Sequence, residues 1–94
     1  MNILIDPVAF VWLTRDPELL SKTALSICRD PKSVIYLSTV SAAELSLKHQ
    51  LGRFPLPDLP SLYIPKQRIL YGIQTLPLEE GSSTLLESLP VIHK

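Results

Sequence analysis

Five residues at the head of the chain, Asn2-Ile3-Leu4-Ile5-Asp6, constrain the fold more than any other stretch. A short apolar run that stops on a carboxylate and is followed at once by proline reads as a strand buried on both faces, as in the middle of a parallel sheet. Pro7 then opens a helix through the apolar Val8-Ala9-Phe10-Val11-Trp12, because proline at the first helical position gives up no needed N–H and has its φ already set. Asp6 therefore falls at the carboxyl end of a central strand and against a helix N-terminus. Two readings of it stand side by side. One is an N-cap, worth about 1 kcal/mol. The other is a member of a ligand site, which open α/β sheets place at that edge.

Further along, Asp16-Pro17-Glu18 can start a helix whose apolar face is Leu20, Ala24, Ile27 and Cys28, ending near Asp30-Pro31. Val34 to Ser38 is rich in β-branched and aromatic residues and reads as a second strand. Ser41-Ala42-Ala43-Glu44 reads as a capping box, with Val40, Ala43, Leu47 and Leu51 as a helical stripe running to Gly52. Two strands separated by helix imply a parallel crossover and an α/β layered domain. Arg53 to Asp58 is an extended connection, and Ser61 to Tyr71 a helix that Pro65 must either join in its first turn or break. Gln74 to Leu76 is a third strand, and Pro77-Leu78-Glu79-Glu80 starts a last helix with Leu85, Leu86 and Leu89 on its apolar face.

A chain of 94 residues makes one domain with one core. No apolar run approaches the roughly 20 residues that span a bilayer, and no basic stretch precedes the first strand as a secretory leader requires. Cys28 is the only cysteine, which forbids disulfides within the chain and fits a reducing cytoplasm. Nine acids balance nine bases, so the chain lacks the basic excess of a general nucleic-acid binder. That balance still allows an enzyme that grips a short RNA through metal ions and a few cations.

Phosphate-binding glycine loops, zinc-ligand spacings and nucleophile elbows are all missing from the sequence. What remains is a pair of carboxylates. Asp6 ends the first strand and Glu44 lies in the helix that leaves the second, so neighbouring parallel strands bring both toward one sheet edge. Two acids there suit a hard cation whose shell is completed by water and phosphate oxygens. Glu44 also reads simply as the third residue of the capping box and the i,i+4 partner of Lys48.

The order of these pieces resembles the PIN-domain ribonucleases and, within them, the VapC-like toxins of bacterial toxin–antitoxin pairs. The resemblance is carried by the strand ending in Asp6 with its helix to Trp12, by Ser38-Thr39-Val40-Ser41-Ala42-Ala43-Glu44-Leu45-Ser46-Leu47-Lys48, and by Leu51-Gly52-Arg53-Phe54-Pro55-Leu56-Pro57. Gly72-Ile73, Leu76-Pro77-Leu78 and Leu89-Pro90 before His93-Lys94 continue it across nearly the whole chain.

The resemblance implies a PIN-like three-layer sandwich with a short parallel sheet, truncated at its C-terminus after about two thirds of such a domain. It implies an endoribonuclease in which Asp6 and Glu44 are the catalytic and metal-site carboxylates for Mg²⁺ or Mn²⁺. Ser41, or Ser38 beside it, would line the pocket. Lys48 and Arg53, with Lys66 and Arg68, are candidates for RNA contacts, though each also reads as ordinary solvated charge. Pro7 stands where the family usually has a hydroxyl residue, and further family acids have no counterpart, so weak or no activity of the chain alone is the expectation. The implied partners are RNA and an antitoxin protein, the latter against the Phe10 and Trp12 helix. A missing neighbour for the first strand would leave an open edge, and hence a homodimer or a complementing chain. The alternatives are a non-catalytic PIN remnant serving as an interaction module, and an unrelated small α/β domain.

Overall fold

The computed structural model describes residues 1–77 and 89–92. The expected last helix from Pro77 to Leu89 lies, apart from its ends, outside the described residues, as do His93 and Lys94. The order of elements is β1 (Asn2–Ile5), α1 (Pro7–Arg15), a 3₁₀ turn (Pro17–Leu19), α2 (Lys22–Arg29), β2 (Val34–Ser38), α3 (Thr39–Gln50), α4 (Pro60–Tyr71), β3 (Gln74–Leu76) and β4 (Val91–Ile92). The strands form one sheet in the order β3-β2-β1-β4, and every pair in it is parallel.

That order corrects the expectation of an open first strand. β4 lies along the free side of β1, where the amide of Leu4 donates to the Pro90 carbonyl at 2.9 Å and the amide of Asp6 to the Ile92 carbonyl at 3.0 Å. A two-residue strand after a proline carries too little pattern to be read from sequence. The sheet is also less symmetric than a continuous apolar run suggests. Ile3 pairs with Ile35, and these two, with Ile5 and Leu37, are buried, whereas Leu4 and its partner Tyr36 on the opposite face are half-buried. The core lies on one side of β1 and β2, because residues alternate between faces along a strand.

α1 supplies much of that core. Ala9 and Phe10 are wholly buried and Val11 and Leu13 nearly so. The ring of Phe10 meets Tyr63 of α4 edge-on, with centroids 6.3 Å apart. Thr14 completes the junction. Its hydroxyl lies 2.7 Å from the Tyr63 hydroxyl and 2.9 Å from the Phe10 carbonyl, so the polar end of a buried tyrosine is satisfied.

Three helix boundaries differ from the sequence reading, each for a local reason. The helix expected from Pro17 onward is split: Pro17–Leu19 is only a 3₁₀ turn, Leu20 is extended, and Ser21 caps α2 through its hydroxyl to the Ala24 amide at 3.1 Å. Asp16 makes no side-chain cap there. α3 begins at Thr39 with Ser38 as N-cap, three residues ahead of Ser41, the cap that the supposed capping box required. α4 runs through Pro65 unbroken. The hydrogen bond that Pro65 cannot make belongs to the Ser61 carbonyl, and both residues are exposed, so water can take it. Gly72 ends α4 at φ 64°, a left-handed position that glycine occupies without a Cβ clash.

Candidate functional site

The sheet changes winding direction between β1 and β4. β2 and β3 add successively on one side of β1, and the chain then returns to place β4 on the other. Open α/β sheets bind ligands outside the carboxyl ends of the strands at such a switch point. Asp6 is the first residue beyond the carboxyl end of β1, and its amide is tied to Ile92 across that boundary. Its Oδ1 accepts from the Ala9 amide at 2.7 Å, so it is the N-cap of α1. The cap engages one oxygen of a half-buried carboxylate; among the described residues, Oδ2 remains for another partner.

Ser38 stands beside it. Carrying the register of Leu4 with Tyr36 two residues on sets Asp6 opposite Ser38. Ser38 is buried, its Oγ accepts from the Ser41 amide at 2.9 Å and bonds the Ser41 hydroxyl at 3.0 Å. The first two strands thus end in the same device, an oxygen-bearing side chain that caps the next helix. Asp6, Ser38 and Ser41 line one edge.

Glu44 is placed differently from the sequence reading. With Ser38 as N-cap, Ser41 holds the third helical position and Glu44 the sixth, a rise of about 9 Å beyond the cap. It is not the reciprocal member of a capping box. Its Oε1 lies 3.5 Å from Lys48 Nζ, with both side chains about half exposed. On α3 it shares a face with Val40, Leu47 and Leu51, and these three apolar residues are 56–58% exposed. The stripe that the sequence suggested is therefore real but faces outward. Leu45, wholly buried two residues before Leu47, anchors the helix from the other side, since two residues turn a helix by about 200°.

The remaining candidates separate by burial. Lys48 is engaged with Glu44, and Arg53 and Lys66 are exposed. Arg68 does a structural job: its guanidinium donates to the Gln74 carbonyl at 2.9 Å and to the Leu37 carbonyl at 3.2 Å, binding α4 to β2 and β3. Burial pushes its pKa below the usual guanidinium range. Phe10 lies in the core and offers no surface to a partner, while Trp12 is half-buried and packs against the same core. Two of the named groups, Phe10 and Arg68, are thus corrected to structural roles.

An open hollow of about 450 Å³ was not anticipated. It lies between the end of α3 and the start of α4, lined by Ser46, His49, Gln50, Leu59, Pro60 and Ser61. Only the polar Ser46 and His49 on the helix face opposite the apolar stripe hinted at it. Among the described residues no three His, Cys, Asp or Glu side chains come together as a metal-binding group, and no described helix is long and apolar enough to cross a membrane. No family model, curated protein or solved structure matches this chain.

Proposed function

We propose that the chain is a PIN-like domain whose sheet edge at Asp6 is a metal-dependent endoribonuclease site of the toxin–antitoxin kind, with weak activity on its own. The observation that supports this most is the position of Asp6, a half-buried carboxylate at the carboxyl end of the strand bordering the switch point. The donor set fits a hard cation of the Mg²⁺ or Mn²⁺ class. Such ions accept one or two carboxylates and complete their shell with water and substrate phosphate. Asp6 would hold the ion, with the Ser38 and Ser41 hydroxyls beside it. Glu44 would join only by leaving Lys48, a cheap step because an exposed i,i+4 pair contributes about 0.3–0.5 kcal/mol. A bound divalent ion would supply charge stabilisation to a phosphodiester and lower the pKa of an attacking water. Asp6 itself is oriented because the Ala9 amide holds its Oδ1.

The test is cleavage of a mixed RNA substrate by the purified chain in Mn²⁺. Slow cleavage that disappears in Asp6→Asn and in Glu44→Gln, with the fold intact, supports the site. Cleavage that persists in both variants overturns it.

A second reading, a protein-interaction module, is favoured by the outward stripe of Val40, Leu47 and Leu51. In it the chain binds an antitoxin-like helix or another chain and cleaves nothing.

A further inference from the structure

The hollow between the end of α3 and the start of α4 has two firmly held walls. On one side Ser46, His49 and Gln50 stand at i, i+3 and i+4 on a single face of α3, a helix anchored by the buried Leu45. On the other, Pro60 is buried at the first position of α4, and the Leu59 carbonyl accepts from the amides of Leu62 and Tyr63 at 2.9 and 2.8 Å. The turn that carries Leu59, Pro60 and Ser61 is thereby tied to the core through the buried Tyr63.

The chemistry of the lining is narrow. It has no carboxylate, lysine or arginine, so nothing in it pairs with a charged ligand. Its polar members are an amide, an imidazole and two hydroxyls, groups that both donate and accept. The Ser46 hydroxyl donates back to the Ala42 carbonyl at 3.0 Å, which leaves its oxygen free to accept. Among the described residues the side chains of His49, Gln50 and Ser61 have no hydrogen-bond or ion-pair partner. Leu59, 58% exposed, and Pro60 add an apolar wall. A volume of about 450 Å³ is in the range of small-molecule sites and has room for a two-ring heterocycle with its sugar.

We propose that this hollow is a nucleobase site that takes adenine, either as a free nucleoside or as one base of a strand. Gln50 decides the base. Its amide sets a donor and an acceptor side by side in one plane, the pattern that pairs with the ring nitrogen and amino group on adenine's outer edge. The apolar wall suits the face of the ring. Because the hollow is open, binding is weak, with a dissociation constant on the order of 1 mM. The site does not rest on the nuclease reading: α3 runs roughly 18 Å from Ser38 to Gln50, so it lies well away from the Asp6 edge.

Amide spectra of the ¹⁵N-labelled whole chain, titrated with adenosine to about 5 mM in EDTA, test it. Saturating shifts should centre on Ser46, His49, Gln50 and Ser61. Gln50→Ala should weaken binding at least about fivefold, and so should Gln50→Glu, which keeps the planar shape but loses the amide donor. Inosine, with a carbonyl in place of the amino group, should bind at least about fivefold more weakly than adenosine. Gln50 is exposed, and circular dichroism checks that its variants keep their fold. A tetra-adenylate strand names the source: affinity at least about tenfold above that of adenosine assigns a base carried on RNA, and a smaller gain assigns the free nucleoside. Either result upholds the site. Absence of saturating shifts overturns it, as do shifts centred elsewhere, affinity indifferent to both Gln50 variants, or inosine binding as well as adenosine. With EDTA present and Asp6, Ser38, Ser41 and Glu44 unaltered, failure here is distinct from failure of the metal site.

Discussion

Asp6 and Ser38 are equivalent residues on neighbouring strands: each follows or ends its strand, and each caps the helix that comes next, through Oδ1 to the Ala9 amide at 2.7 Å and through Oγ to the Ser41 amide at 2.9 Å. The repetition fixes where α1 and α3 leave the sheet. It also gathers side-chain oxygens on one edge.

The caps have a measurable cost of removal. Asp6→Ala and Ser38→Ala should each lower unfolding stability by about 1 kcal/mol, up to about 2. Asp6→Asn should cost much less, because asparagine caps as well as aspartate. Urea unfolding of the three variants checks this, and an Asp6→Asn loss equal to that of Asp6→Ala would show that the charge, not the cap, supports the fold.

Leu45 and Leu47 should behave as opposites. Leu45→Ala removes a wholly buried side chain and should cost about 2–5 kcal/mol, whereas Leu47→Ala should change stability by no more than about 0.5 kcal/mol. Equal losses would mean that the outward face of α3 is covered within the chain.

The hydroxyls of Thr14 and Tyr63, 2.7 Å apart, should be coupled. Thr14→Val and Tyr63→Phe should each cost about 1–2 kcal/mol, and the double variant less than their sum by about 0.5–1 kcal/mol. Additive losses would show that the two groups find separate partners.

Burial raises the pKa of the Cys28 thiol. The folded chain therefore holds that proton more tightly than the unfolded chain does. The contribution of Cys28 is complete below the unfolded thiol pKa and declines as pH rises through the folded one. Alkylation by iodoacetamide at pH 8 should be slower in the native chain than in urea. A native rate equal to the unfolded one would contradict the burial.

Much of this architecture is legible in the sequence where several signals agree. The β1–Asp6–Pro7 junction combined an apolar run, a capping residue and a helix-opening proline, and β2 combined β-branched residues with the aromatic Tyr36. Where a single pattern had to decide, it misled. The 3.6-residue periodicity of Val40, Leu47 and Leu51 is indifferent to whether the stripe faces the core or solvent, and only the burial of Leu45 settles it. Ser38 and Ser41 both suit an N-cap, three residues apart, so the sequence admitted two starts for α3 and shifted Glu44 by half a turn or more. β4 is two residues long, and its pairing is a tertiary fact that no local pattern encodes.

The claim on which the functional account turns is that Asp6 holds a divalent cation at the switch-point edge. Mn²⁺ titrated into the ¹⁵N-labelled chain tests it most directly, because the ion broadens the amide signals nearest to it. The account predicts that Ala9, Ser38 and Ser41 broaden first in the parent chain and that Asp6→Asn, which keeps the cap and the fold, abolishes that selectivity. Broadening that is uniform across the surface, or that persists around the same amides in Asp6→Asn, would contradict it.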